Sequence, residues 1–479
     1  MTLKNEVLHG LKWMAGAKFG SQMITWVITI FVMRLLVPAD YGLMAMSSVF
    51  IALLVMFAEV GLGPALVQAA EVTTQKLRQA FGIFLIVNLA LCALLNLAAP
   101  AIAEFYSEPR LVPLVRVLSL QFLLTPLAIV SEVQLQRALD FKKRSIVDLT
   151  TAVITSLVTL TLALMGHGVW SLALGQVAAA IWRTALVNIV SPFPHWPLFS
   201  WTGMRDLMTF GGKVTTSRFL WFFFSQVDIV IVGRMLGGQV LGLYAVAMHL
   251  ASMPTQRVSA ILNQVAFPAF ARFQHDREAI VRQLLKAFEL VSLIAFPVLW
   301  GMAATASDII LVFLGDHWEE AVFPLQVLAL IMPFRTVVQF MPTVTDAVGH
   351  PGVSLQNGIV GCTLMPLAFY AGTHWGITGV ALAWAIMYPV VLLINLRRMV
   401  AVIGLTVGHV VQRMMPAMIS AGVMFAAVTA VQYALRGYAD RKLALAVEVS
   451  AGALVYLLCS WTVNRATLMD VWRLVRRKG

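Results

Sequence analysis

Residues 79–103 read Gln79-Ala-Phe-Gly-Ile-Phe-Leu-Ile-Val-Asn-Leu-Ala-Leu-Cys-Ala-Leu-Leu-Asn-Leu-Ala-Ala-Pro-Ala-Ile-Ala103. None of them is charged, and apolar residues follow one another without alternating with polar ones. As a helix, roughly 20 such residues cross the roughly 30 Å of hydrocarbon in a bilayer. A strand of a membrane barrel would alternate instead. Working outward, comparable runs recur near 13–36, 43–67, 117–136, 146–166, 168–190, 212–233, 239–268, 283–305, 322–347, 353–373, 376–396, 414–434 and 443–463. The composition agrees: 60% of residues are hydrophobic and 12% charged, about half the charged share of a soluble domain. The expectation is an all-α polytopic membrane protein with about 14 transmembrane helices.

The first run is too long for a cleaved signal peptide, and no small-residue cleavage site follows it. Before it, Leu3, Val7, Leu8 and Leu11 interleave with Lys4, Asn5, His9 and Lys12, the pattern of an amphipathic helix on the membrane surface. Cys92, Cys362 and Cys459 sit inside apolar runs without metal-ligand spacing, and are read as packing residues.

The net charge of +12 is distributed by topology. With the N-terminus cytoplasmic, one set of alternate loops holds Lys76, Arg78, Arg137, Lys142, Lys143, Arg144, Arg272, Arg397, Arg398, Arg413 and the Arg473–Lys478 tail. The other holds little beyond Arg110, Arg116, Arg436, Arg441 and Lys442. This is the positive-inside pattern, and it places both termini in the cytoplasm. No nucleic-acid partner is implied. The tail from Leu468 to Lys478 sets Leu468, Val471, Trp472 and Val475 opposite its arginines, as a helix on the anionic leaflet would.

A repeat organises the spans. Val32-Met-Arg34-Leu-Leu36, followed by Gly42 and Ala45, aligns with Val232-Gly-Arg234-Met-Leu236, followed by Gly242 and Ala245. Lys18 matches Arg218 at the same offset, and Pro64-Ala65, Arg116-Val-Leu-Ser-Leu120 and Gly168-Val169 find later partners in the same order. Six helices per repeat is an even number, so the halves share one orientation about an axis along the membrane normal. The predicted division is 1–190 for the N-terminal lobe and 191–211 for a cytoplasmic linker. The C-terminal lobe is 212–396, and 397–479 holds two further helices and the basic tail. Two parallel lobes of this kind enclose a central cavity.

Polar residues within the runs are the candidate lining of that cavity, because an ionisable group facing lipid costs several kcal/mol. Lys18, Gln22, Thr25 and Thr29 share one helical face. Thr215, Arg218 and Ser225 share another, with Asp228 at its edge, while His249, Ser252, Gln256, Ser259 and Asn263 form a stripe on the eighth run. Arg335, Gln339, Pro342 and Asp346 form one on the tenth. Lys18, Arg218, Arg257 and Arg335 are the candidate cationic, substrate-binding residues. Gln22, Thr25, Ser252, Gln256, Asn263 and Gln339 are the polar lining, with Glu59 and Asp228 as candidate ion- or proton-coupling carboxylates. Arg257 lies around the helix from its stripe and has pairing with an acid in its own lobe as an alternative role. Glu59 has the alternative of being the counter-charge of Lys18. Serine and threonine in membrane helices also bond their own backbone, the plainer reading for the hydroxyls. Arg34, Asp40 and Arg234, near helix ends, read as gate or structural residues.

The Arg34-Leu-Leu-Val-Pro-Ala-Asp-Tyr-Gly42 turn resembles the Arg-Leu-Leu-x-Pro-x-Asp-Tyr-Gly motif of polysaccharide-transporter flippases. The likeness extends through Glu59-Val-Gly-Leu-Gly63 and Val265-Ala-Phe-Pro268. These proteins form a branch of the multidrug/oligosaccharidyl-lipid/polysaccharide exporter superfamily, and the sequence is most similar to the exporters of colanic-acid and other exopolysaccharide repeat units. The resemblance implies a V-shaped pair of six-helix lobes plus two C-terminal helices, and alternating access in a bacterial inner membrane. The implied substrate is a polyprenyl-pyrophosphate-linked oligosaccharide. Membrane lipids and a polysaccharide polymerase machinery are the implied partners. The related peptidoglycan-precursor flippase is credited with basic residues on its first, second and eighth helices. Here Lys18 and Arg257 match the first and eighth, while the second carries only Glu59. Arg218 or Arg335 are the candidates to take its place.

The implied work breaks no bond and needs no cofactor. The membrane potential favours outward movement of a negative headgroup by about 2.3 kcal/mol per charge per 100 mV, and coupling to sodium or protons is open. Gly212-Lys213 lacks the flanking residues of a phosphate loop, against an ATP-driven pump. A cation-coupled multidrug exporter would share the fold but call for an acidic or aromatic cavity. A membrane glycosyltransferase or polymerase would call for larger outer loops than 104–116 and 306–321, although Asp308, Asp316, Glu319 and Glu320 lie in the latter.

Overall fold

The computed structural model describes residues 25–469 except 59–60, 70, 201, 203–204, 273–276, 340, 436–439 and 466. At 64, 205–221, 257–272, 277, 343, 347 and 351 it describes the backbone alone. Helices α1 (Thr25–Leu35), α2 (Pro38–Ala58), α3 (Leu62–Gln68), α4 (Thr74–Tyr106), α5 (Leu111–Ser119), α6 (Gln121–Arg137), α7 (Phe141–Leu164) and α8 (Val169–Val190) come first. They are followed by α9 (Arg205–Arg272), α10 (Arg277–Ala304), α11 (Ala306–Ile309) and α12 (Val322–Val338). Last come α13 (Met341–Ala347), α14 (Pro351–Thr373), α15 (Gly376–Val402), α16 (Val407–Leu435) and α17 (Arg441–Val463). Among the described residues there is no strand.

Among the described residues, twelve helices are long and apolar enough to span a bilayer, against the fourteen expected. Two features account for the difference. The first run is described only from Thr25, as an 11-residue helix too short to be scored as a span. The seventh and eighth runs are two helices that meet within α9 at a kink, Gly237 (φ 80°, ψ 177°), a conformation open mainly to glycine, and together they count as one span.

The chain forms two compact units, Met1–Gly242 and Leu243–Gly479. In the first, α3, α4 and α6 close on a core of Leu62, Leu66, Ile83, Phe84, Ile129 and Val133, while α7 runs along α8. Pro192–Ser200 lies against the start of α4: Leu198 N donates to Arg78 O at 2.9 Å, and Arg78 Nε donates to Trp196 O at 2.9 Å. In the second unit α10 packs on α12 and α16, α16 on α17, and α14 on α15, around Phe288, Phe296, Trp318 and Phe369.

The surface is that of a protein dissolved in lipid. Leu97, Leu367, Ile386 and Leu454 point outward from mid-helix, an exposure that an aqueous surface would not tolerate over so many contiguous turns. Inside, hydroxyls such as Ser47, Thr155 and Ser420 return their protons to the carbonyl four residues back. Burial without water leaves them that partner.

Arg137 shows how a cytosolic-type side chain is used at a helix end. Its Nη1 donates to Leu66 O at 2.7 Å and Ala69 O at 2.6 Å, satisfying carbonyls that α3 leaves open at its C-terminus. Arg137→Ala is expected to destabilise α3 by roughly 2 kcal/mol, the worth of hydrogen bonds from a charged donor. Hydrogen exchange at 62–69 reports it; unchanged protection there would remove this role.

Candidate functional site

Lys18, Gln22 and Glu59 lie outside the described residues, as do the 2–12 segment and the tail from 470. Arg218, Arg257 and Asn263 are on α9, where the backbone alone is described. The remaining candidates form local groups within each unit.

In the first unit Thr25 is half-buried on α1. Asp228 is buried on α9 and accepts from Ile229 N at 2.9 Å. Asp40 ties two helix starts together. Its Oδ2 accepts from Val37 N at 3.3 Å, closing the first turn of α2, and its Oδ1 accepts from Val169 N at 3.0 Å at the start of α8. A carboxylate at two helix N-termini also meets their positive ends. Arg110, whose charge feels Asp40, forks onto Glu108 through Nε at 2.7 Å and Nη2 at 2.8 Å. That hydrogen bond holds the Glu108 carboxyl below the usual range. Arg234 reaches the same turn: its Nη1 donates to Ser107 Oγ at 3.0 Å and its guanidinium lies 5.6 Å over the Phe105 ring. Arg34 is exposed at the end of α1.

In the second unit α9 and α12 are joined by a hydroxyl pair beside the two stripes. Thr336 Oγ1 donates to Thr255 Oγ1 at 3.0 Å, both buried, and neither threonine is one of the candidates. Ser252 donates to its own backbone at His249 O (3.0 Å), the plainer role for a hydroxyl, while Gln256 and Gln339 are exposed. Arg335 is half-buried, its guanidinium 5.4 Å over the Trp384 ring. Trp384 in turn donates to Tyr244 OH at 2.8 Å and packs against Phe369 and Tyr388. An aromatic face holds a guanidinium by about 0.5–2 kcal/mol while leaving its N–H groups free to turn toward an anion.

One ionic group of the first unit was not among the sequence candidates. Arg183 on α8 donates through Nε to Glu132 on α6 at 2.6 Å and through Nη1 to Asp148 on α7 at 2.9 Å. Two carboxylates thus share one guanidinium between three apolar helices. The signal that could have found them is in the sequence: all three are ionisable residues inside predicted spans.

The sequence matches the family described as "Polysaccharide biosynthesis protein" over residues 31–323. Teichuronic acid biosynthesis protein TuaB of Bacillus subtilis (strain 168) is 27% identical over 405 residues, 83% of each chain. Lipopolysaccharide biosynthesis protein WzxC of Escherichia coli (strain K12) is 25% identical over 397 residues, 81% of this chain and 79% of its own. Among solved structures, lipid II flippase MurJ in an inward closed conformation superposes with a TM-score of 0.75. It covers 95% of this chain and 99% of its own, at 15% identity, a likeness of fold. The chain is a multi-pass membrane protein with the fold of that flippase, and its match over more than half its length makes it a member of the polysaccharide biosynthesis protein family.

Proposed function

We propose that this protein is a flippase that carries a polyprenyl-pyrophosphate-linked oligosaccharide repeat unit from the cytoplasmic to the periplasmic leaflet by alternating access, for exopolysaccharide or O-antigen-type biosynthesis. One conjunction carries the reading. Relatives that match four-fifths of the chain are named for building surface polysaccharides, and the fold is that of a protein named for flipping a lipid. A transporter of this kind needs groups that hold a charged headgroup away from lipid, and it needs no catalytic residue.

The working parts in this reading are the repeats 1–190 and 212–396, joined by a cytoplasmic linker at 191–211, in an inner membrane with both termini cytoplasmic. Lys18, Arg218, Arg257 and Arg335 neutralise the pyrophosphate, and the amide and hydroxyl stripes hydrogen-bond the sugars. Trp384 keeps the Arg335 guanidinium oriented. The product, a lipid-linked repeat unit on the outer leaflet, is the substrate a polymerase machinery requires.

The test is reconstitution into liposomes with a fluorescent polyprenyl-pyrophosphate oligosaccharide, following headgroup accessibility from outside. Protein-dependent redistribution is expected, with at least a tenfold loss of rate in Lys18→Ala/Arg218→Ala. Redistribution that survives the double substitution removes those two residues from the site. Absence of redistribution together with sodium- or proton-driven uptake of a cationic dye would replace the flippase reading by drug export.

A further inference from the structure

Between α11 and α17 lies a buried acidic pair that no part of the flipping scheme uses. After α10 the chain turns at Thr305 into α11 and continues through a π-turn, Ile310–Leu314, to Gly315. This turn sets Asp308, 9% exposed, against α16 and α17. Gln432 of α16 donates through Nε2 to Asp308 Oδ2 at 2.7 Å. Glu448 of α17 faces Asp308 and is 1% exposed, and both its carboxyl oxygens are shielded without a hydrogen-bond donor.

Glu448 also lines a cavity of about 500 Å³ between α10, α16 and α17, whose walls include Pro297, Met302, Met424 and Tyr456. The other polar groups near it are already committed. Tyr456 OH donates to Leu293 O at 2.7 Å, and Thr305 Oγ1 donates to Gly301 O at 2.9 Å. Arg441, at the start of α17, lies 3.8 Å from Asp316. Among the described residues, Asp308 from α11 faces Glu448, Gln432 from α16 donates to Asp308, and apolar side chains of α10 line the cavity.

Two ionised carboxylates cannot rest there. Each pays desolvation of several kcal/mol and they repel one another, while Glu448 has no donor to offset its charge. One added proton removes a charge and turns the repulsion into a carboxyl–carboxylate hydrogen bond. Gln432 already fills Asp308 Oδ2 with a donor, whereas neither oxygen of Glu448 has one. We propose that Asp308 and Glu448 form a proton-binding pair, one proton held between the two carboxyls, where the second repeat meets the last helix. The neutral Glu448 lets α17 close against α10 and α16 around the apolar cavity, and loss of the proton places two like charges at that contact.

The test is infrared spectroscopy of the full chain in lipid nanodiscs at neutral pH. The expected result is a protonated-carboxyl C=O band that shifts in D2O, disappears in Glu448→Gln and moves in Gln432→Leu, which removes the donor to Asp308. Absence of the band in the unsubstituted protein overturns the proposal without recourse to any variant. So does a band unchanged by both substitutions, or one that appears only when sodium is withdrawn, which would make the occupant a metal cation. The readout needs no substrate, so its failure and that of the flippase reading are separate events.

Discussion

Gly42→Val is expected to abolish accumulation of folded protein, and Gly242→Val to do the same, whereas Gly358→Ala leaves stability within about 1 kcal/mol of the parent. A β-carbon on Gly42 would overlap the carbonyl oxygen of Gly238, and one on Gly242 would overlap the carbonyl oxygen of Pro38. Nothing lies within 4 Å of the corresponding position at Gly358. The obstacles at the first two sites are backbone atoms, which cannot rotate away as a side-chain tip would. Accommodation would have to separate α2 from α9 along their contact and give up the packing of Leu43, Met46 and Leu241. Overpacking costs about 1–3 kcal/mol where side chains can adjust, and more where they cannot. Close backbone approach through small residues is how membrane helices associate when lipid supplies no hydrophobic drive. Detergent-extracted yield and monodispersity by size-exclusion chromatography check the result. A monodisperse Gly42→Val protein with parental thermal stability would show that α2 and α9 do not depend on this approach.

Arg183→Ala carries the second large effect. It removes the single cation shared by Glu132 and Asp148 and leaves two carboxylates facing one another between α6, α7 and α8. Breaking a buried pair from one side costs roughly 3–5 kcal/mol. The three side chains retain about a third of their accessible surface, so the lower end of that range, about 3 kcal/mol, is expected. Arg183→Lys restores only part of it, because one ammonium cannot present the two separate N–H directions that the guanidinium sends to its partners. Adding Glu132→Gln and Asp148→Asn to Arg183→Ala is expected to recover most of the stability, since no uncompensated charge remains. Thermal unfolding in detergent measures all four proteins. Equal stability of parent and Arg183→Ala would mean that the triad is not holding these helices together. A stable triple variant that no longer moves substrate would instead assign the triad to transport.

Membrane residence, helicity and family were legible in the linear chain because each rests on local chemistry. Residues 79–103 offer no charge for 25 positions, and any such run must find hydrocarbon and satisfy its backbone internally. The Arg34–Gly42 turn is a short motif that needs no partner to be recognised. The alignment of Gly42 with Gly242 was equally visible as a repeat. That the two glycines lie at one helix crossing, where Gly242 also comes within 3.0 Å of Gly42 N once a β-carbon is built, was not. The same holds for the ionisable groups. Arg183 stands 51 residues from Glu132 and 35 from Asp148, and Gln432 stands 124 from Asp308. Helical periodicity says which residues share a face of one helix, and it is silent on which face of another helix that face meets. Thr255 meets Thr336 between α9 and α12, and Arg183 meets Glu132 and Asp148 between α6, α7 and α8, pairings that no single-helix periodicity contains. The choice of partners is made by close packing of whole helices, whose crossing positions depend on every small and large side chain along them at once.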